Sequence, residues 1–99
     1  MKKYRNTPIN GFDSKKEYYR YLELFEQQKK GIIYDLKTQV TYEIIPKIGK
    51  MRACFYMADF VYVKDRKTIV EDVKGLKTPV YKIKKKLMLS VHGIEILES

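Results

Sequence analysis

Two hydrophobic periods run along this chain, and the places where one gives way to the other mark out its elements. Residues 1–13 show neither period and contain Pro8 and Gly11, so they read as an N-terminal arm ahead of a single domain spanning 14–99. Ser14-Lys15-Lys16-Glu17 fits a capping box, and Tyr18, Tyr21, Leu22 and Phe25 then recur at helical spacing. A first helix is expected to about Lys30, with Gly31 as its stop. Ile32 to Leu36 reads as a short extended segment, and Val40 to Ile45 as a β-branched, aromatic strand closed by Pro46. Residues 51–63 alternate with period two, which places Phe55, Met57, Asp59, Val61 and Val63 on one face. After the polar break Lys64 to Lys67, Thr68 to Lys74 resumes as a strand, with Val70, Asp72 and Lys74 on one side and Ile69, Glu71 and Val73 on the other. Thr78-Pro79 opens a second helix whose core stripe is read as Val80, Ile83, Leu87 and Val91. Gly93 ends it, and Ile94 to Leu97 reads as a last short strand. The order α-β-β-β-α-β predicts a single-domain α/β fold, a small mixed sheet flanked by helices.

The β-hairpin formed by the second and third strands turns this pattern into chemistry. A loop of two residues, Asp65-Arg66, and a loop of four, Lys64 to Lys67, pair the same residues: Val63 with Thr68 and Val61 with Val70. Counting on brings Asp59 opposite Asp72, with Lys74 on the same face; a three-residue loop would break the pairing. Two carboxylates this close on an otherwise apolar face repel unless a proton or a cation lies between them. Oxygen ligands without a nearby His or Cys favour a hard ion, Mg²⁺ or Mn²⁺. The plainer alternative is an exposed face on which Asp59, Asp72 and Lys74 are ordinary ion-pairing residues. Glu17 carries the same ambiguity, since the fourth residue of a capping box can fold back onto the Ser14 amide instead of reaching a site. Glu71 faces away from Asp59 and reads as structural. His92 reads as a helix-end residue, and Cys54 as a core or edge filler.

Charge gives the centre a class of partner. The chain has 99 residues, 21 Lys+Arg against 12 Asp+Glu and a net charge of +9, the balance of a domain drawn to phosphate polyanions or anionic surfaces. Nine Tyr and four Phe without Trp make the core aromatic, and the lone Cys54 excludes an internal disulfide or a zinc site of clustered cysteines. No apolar run approaches the roughly 20 residues of a membrane span, and polar residues rather than a signal core follow the Met-Lys-Lys start. A cytoplasmic protein without a membrane partner is expected.

Asp59, followed on the next strand by Asp72-Val73-Lys74, resembles the PD-(D/E)xK nuclease pattern, whose core has the same element order; Ala58 stands where the pattern's name has proline. Phe12-Asp13-Ser14-Lys15-Lys16-Glu17, Ala58-Asp59-Phe60, Val70 to Gly75 and Lys77 to Lys82 are further similar to a small phage-associated family, described as a domain of unknown function or as PVL ORF-50-like, across roughly residues 9–97. The resemblance implies a restriction-endonuclease-like core with Asp59 and Asp72 as metal ligands, the Val73 carbonyl as another, Lys74 as the catalytic lysine and Glu17 as the glutamate that completes the site. It implies a phage or prophage gene expressed in a bacterial host. The activity expected is that of a metal-dependent DNA endonuclease, with Lys77, Lys82, Lys84, Lys85 and Lys86 on backbone phosphates. By analogy with small resolvases the substrate is branched DNA such as a Holliday junction, with duplex as the alternative, and two cuts call for a homodimer. Two rivals remain at this point: a DNA-binding module that has kept the fold without the chemistry, and a phage protein-interaction factor with a tyrosine-rich interface.

Overall fold

A computed structural model describes residues 11–99. The expected arm therefore lies almost entirely outside the described residues, which hold only its last three. Of these Phe12 is buried, its ring 4.9 Å from that of Tyr21 and 6.3 Å from that of Phe60.

The elements are α1 (Lys15–Lys29), β1 (Tyr34–Ile45), β2 (Cys54–Lys64), β3 (Lys67–Asp72), α2 (Pro79–His92) and β4 (Leu97–Glu98). They follow the expected α-β-β-β-α-β order, in one sheet ordered β1-β2-β3-β4, antiparallel except for the parallel pair β3 and β4. Local chemistry sets the helix ends. Ser14 Oγ accepts from the Glu17 amide at 3.2 Å and Thr78 Oγ1 from the Tyr81 amide at 3.1 Å, which satisfies N–H groups that have no partner within the helix. Gly93 closes α2 at φ +68°, a backbone state cheap only for glycine.

Between β2 and β3 the turn is Asp65-Arg66, at φ +51° and +66°, the left-handed pair that a two-residue hairpin loop requires. It imposes the expected register: Val63 pairs with Thr68 and Val61 with Val70. The first strand differs from expectation. Ile32 to Leu36 is not a separate segment; most of it joins the continuous strand β1, whose register slips between Tyr34 and Lys37. Asp35, at a left-handed φ, falls within this slip; Gln39 is left-handed as well although its stretch of the strand keeps register, at a cost of about 1 kcal/mol or more for a residue such as glutamine.

Alternation along β3 sends Ile69, Glu71 and Val73 toward α1, and Val70 and Asp72 toward α2. The α1 side packs Phe12, Leu24, Ile33, Phe60 and Tyr62; the α2 side packs Ile44, Tyr56, Ala58, Val61, Val70, Tyr81, Met88 and Ile96. Strict alternation groups Tyr56, Ala58, Phe60 and Tyr62 together, yet the first two serve the α2 core and the last two the α1 core, so β2 changes allegiance around Asp59. Phe55 and Met57, expected on the apolar face with Asp59, are about half exposed, and Cys54 is exposed at the start of the strand rather than packed in the core.

Both helices sit rotated from their hydropathic readings. On α1 the buried residues are Glu17 and Leu24, while Leu22 and Phe25 remain substantially exposed. On α2 they are Tyr81 and Met88; Val80 and Ile83 are about 60% exposed, Val91 is exposed and Leu87 half-buried. Hydropathy scores Glu17 and Tyr81 poorly as core residues, yet their polar ends have partners inside, and those partners set which side of each helix turns inward. Among the described residues no helix is long and apolar enough to cross a membrane.

A carboxylate pair as candidate functional site

Asp59 lies one residue beyond the last paired position of β2, and Asp72 ends β3. The Asp72 side chain lies within hydrogen-bonding reach of the Asp59 carboxyl, a bond that favours the protonated form of Asp59. Burial first, then this bond and the charges of Asp72 and Glu17, push the Asp59 carboxyl well above the usual carboxylate range; the Val73 amide, donating to Asp59 Oδ2 at 2.7 Å, works in the opposite direction. Asp72 is 3% exposed, and its Oδ2 accepts from the Tyr56 hydroxyl at 2.6 Å. Burial and that bond to a carboxylate hold the Tyr56 phenol far above its ordinary range. Lys74 Nζ stands 3.4 Å from Asp72 Oδ1 and 4.3 Å from the centre of the Tyr81 ring, where the face of the ring attracts the ammonium.

Glu17 reaches the edge of this centre. Its side chain is buried, accepts from Gln39 Nε2 at 3.1 Å and from the Asp13 amide, and lies near enough to Asp72 and Asp59 for the charges to be felt. Burial, then the charge of Asp13, raises its carboxyl above the usual range. The two readings of Glu17 are thus combined: the carboxylate does bind a backbone amide ahead of the helix, at Asp13 rather than Ser14, while facing the aspartates. Lys16, one residue earlier, donates to the Lys74 carbonyl at 3.0 Å and ties the start of α1 to the end of β3.

The donor set suits a small hard cation. Two carboxylates that cannot both ionise unaided present oxygen ligands only, and Mg²⁺ is commonly bound by one or two carboxylates with water and substrate phosphates for the rest. Among the described residues no three acidic, His or Cys side chains converge into a complete cage. Glu17 therefore stands near the aspartate pair without closing on it.

The lysines expected on phosphates divide into three groups. Lys82 and Lys86 are exposed, and with Lys85 they line a shallow depression of about 260 Å³ beside Leu89, Glu95 and Ile96. Lys84 is half-buried. Lys77 and Lys85 are ion-paired to Glu98, at 2.9 and 3.1 Å. His92 is at the helix end as expected, its Nε2 2.7 Å from the Glu43 carbonyl oxygen.

Tyr56, Gln39, Tyr81 and Glu98 join the centre or its border without having been singled out in the sequence. For Tyr81 the signal was available, since Thr78-Pro79 fixes the helix start and places Tyr81 in its first turn. Gln39 gives no such signal, because a left-handed glutamine within a strand has no sequence mark. No curated protein and no solved structure matches the chain. The family model described as "Protein of unknown function (DUF1064)" matches residues 1–94, and the chain belongs to that family.

Proposed function

We propose that this protein is a metal-dependent DNA endonuclease of the PD-(D/E)xK type, hydrolysing a phosphodiester by in-line attack of water. The observation that carries the reading is the pairing of half-buried Asp59 with buried Asp72, with the Lys74 ammonium 3.4 Å from Asp72. A purely structural site has no need of two carboxylates that repel each other; a site meant for a cation does. Asp59 and Asp72 would hold Mg²⁺ or Mn²⁺, with the Val73 carbonyl and Glu17 adding ligands. When bound, the ion supplies Lewis-acid polarisation of the phosphate and a lower pKa for the attacking water. Lys74, held between Asp72 and the Tyr81 ring, is placed to orient that water or to neutralise charge growing on phosphorus. Tyr56 fixes the Asp72 carboxylate through Oδ2. The net charge of +9 and the exposed Lys82 and Lys86 support a polyanionic substrate. A phage origin, by resemblance to the phage-associated family, and a branched substrate such as a Holliday junction with a homodimeric state, by analogy with the superfamily's small resolvases, complete the proposal.

One observation favours a DNA-binding module without chemistry: the Tyr56 hydroxyl and the Val73 amide already serve the aspartates, and among the described residues no third acidic group closes the site. Incubation with linear, single-stranded and four-way DNA, with and without Mg²⁺ or Mn²⁺, separates the two. Divalent-dependent cleavage is expected, lost in Asp72→Asn and reduced by several orders of magnitude in Lys74→Ala, which keeps its Mn²⁺ binding because lysine is no ligand. Salt-sensitive binding without cleavage under any of these conditions would leave the module reading in its place.

A further inference from the structure

Glu98 in β4 sits beside the proposed centre as the register partner of Asp72, one strand spacing away, about 5 Å. Its carboxylate collects three donors: the Tyr81 hydroxyl at 2.7 Å and Lys77 Nζ at 2.9 Å and Lys85 Nζ at 3.1 Å. The Glu98 side chain is only 19% exposed, whereas the two lysines come in from the solvent side at 52% and 40%. Two ammonium groups and a phenol converging on two oxygens make up the donor set that a phosphodiester recruits, and a carboxylate offers the same planar pair of charged acceptors as the non-bridging oxygens of a phosphate. Tyr81 links this seat to the centre, since its ring carries the Lys74 ammonium on its face while its hydroxyl holds Glu98. Hydrogen bonds from Tyr81, Lys77 and Lys85 hold the Glu98 carboxyl down at about 2.

We propose that Lys77, Lys85 and Tyr81 form a seat for a DNA backbone phosphate next to the scissile position, and that Glu98 occupies this seat as an internal phosphate mimic. This rests on the nuclease reading and deepens it. DNA entering the seat displaces a carboxylate rather than free counterions, so Lys77 and Lys85 contribute little to the salt dependence of binding while Glu98 is present. The protein accordingly binds DNA more weakly than its net charge implies, and strands that carry an additional favourable contact elsewhere are preferred.

The test measures binding of a duplex oligonucleotide and of a four-way junction across a salt series, without divalent ion so that no cleavage intervenes. Glu98→Gln keeps the size of the side chain and an acceptor for Tyr81, and Glu43→Gln, an exposed position on β1 at the opposite edge of the sheet, makes the same change in net charge. Glu98→Gln should tighten binding by about tenfold and steepen the slope of log affinity against log salt by about 2, one for each freed lysine. Glu43→Gln should change the slope by much less. Adding Lys77→Gln and Lys85→Gln to Glu98→Gln should remove the gain, whereas the same two changes with Glu98 intact should leave the slope nearly as it was. The last arm keeps the test valid should Glu98→Gln fold poorly. Equal effects of the Glu98 and Glu43 changes, or a loss of about 2 in slope when the two lysines are changed with Glu98 intact, would overturn the seat. Neither result touches the nuclease reading, which stands or falls on divalent-dependent cleavage and Asp72→Asn. Inorganic phosphate in place of DNA, competing only with Glu98→Gln, would show that the seat reads the phosphate group itself; failure of phosphate to compete with DNA there would count against the seat.

Discussion

Glu71 and Asp72 are neighbours in sequence, both buried, and they live in opposite electrostatic worlds. Glu71 points toward α1 and is fully served: Arg20 donates from Nε at 2.6 Å and from Nη2 at 3.1 Å, the Tyr62 hydroxyl donates at 2.6 Å and the Ser99 hydroxyl at 2.6 Å. Burial alone would raise its carboxyl, yet the bonds from Arg20, Ser99 and Tyr62 prevail and hold it below the ordinary value. Asp72 points toward α2, where its charged neighbours are the Lys74 ammonium and a second carboxyl, Asp59, which burial and Asp72 push well above its usual range. Completeness of partners is what separates an anion that holds the fold together from one that waits for a ligand. A buried charge with every lone pair matched stabilises its surroundings, while a buried pair left short of one positive charge stores repulsion that a cation can release.

The largest expected effect follows from breaking the satisfied side. Glu71→Ala leaves Arg20, Tyr62 and Ser99 without their shared acceptor, and it should cost about 3 to 5 kcal/mol, read as a lowered midpoint in urea unfolding. If Glu71→Ala proved no more destabilising than an exposed substitution, the contrast between the two carboxylates would collapse.

The opposite sign is expected across the sheet. Asp59→Asn removes one member of the repelling pair and should raise stability by about 1 kcal/mol when no divalent ion is present. The pH dependence gives a sharper version. A carboxyl whose folded pKa lies above its unfolded value binds more protons in the folded state, so its contribution declines as the pH rises from the ordinary carboxylate range through neutrality to the raised value. The advantage in Tm of Asp59→Asn over the parent should therefore widen from mildly acid to mildly alkaline pH. Saturating Mn²⁺ should close it, because the parent then gains a ligand that the variant binds poorly. A gap independent of pH would mean that the Asp59 carboxyl is not raised.

Sequence made much of this contrast legible because it depends on parity. The even loop at Asp65-Arg66 set the register, the register placed Asp59 near Asp72, and alternation put Glu71 on the other face. What it concealed was the partners. Arg20 lies 51 residues from Glu71 and Gln39 22 from Glu17, and no local pattern connects them. The same blindness rotated both helices in the reading, since Val80, Ile83 and Val91 look like a core stripe until Tyr81 is known to have a half-buried acceptor in Glu98. It also made five lysines look equivalent, although two of them are already paired.

The smallest effect concerns Gln39, which holds a left-handed backbone at φ +58° and donates to Glu17. Gln39→Gly relieves the backbone and should add a few tenths of a kcal/mol up to about 1 to stability, while it frees the Glu17 carboxylate to drift. Mn²⁺ affinity, followed by isothermal titration, should fall by a few fold. A gain in stability with unchanged affinity would confine Gln39 to the strand and detach it from the centre.

The turn at Asp65-Arg66 has a consequence for how such a chain can vary. Because side chains on a strand alternate, insertions at this tip that leave the turn two residues long preserve the faces of β3 only in even steps. One inserted residue would slide β3 by one position and present Glu71 to Asp59, while Asp72 met Arg20, exchanging the anchor and the reactive acid without altering either residue. Two inserted residues would restore both. Insertions and deletions at this tip are thus constrained by arithmetic rather than by the identity of the loop, and a pair of residues more than 10 Å of strand away from the chemistry decides which carboxylate performs it.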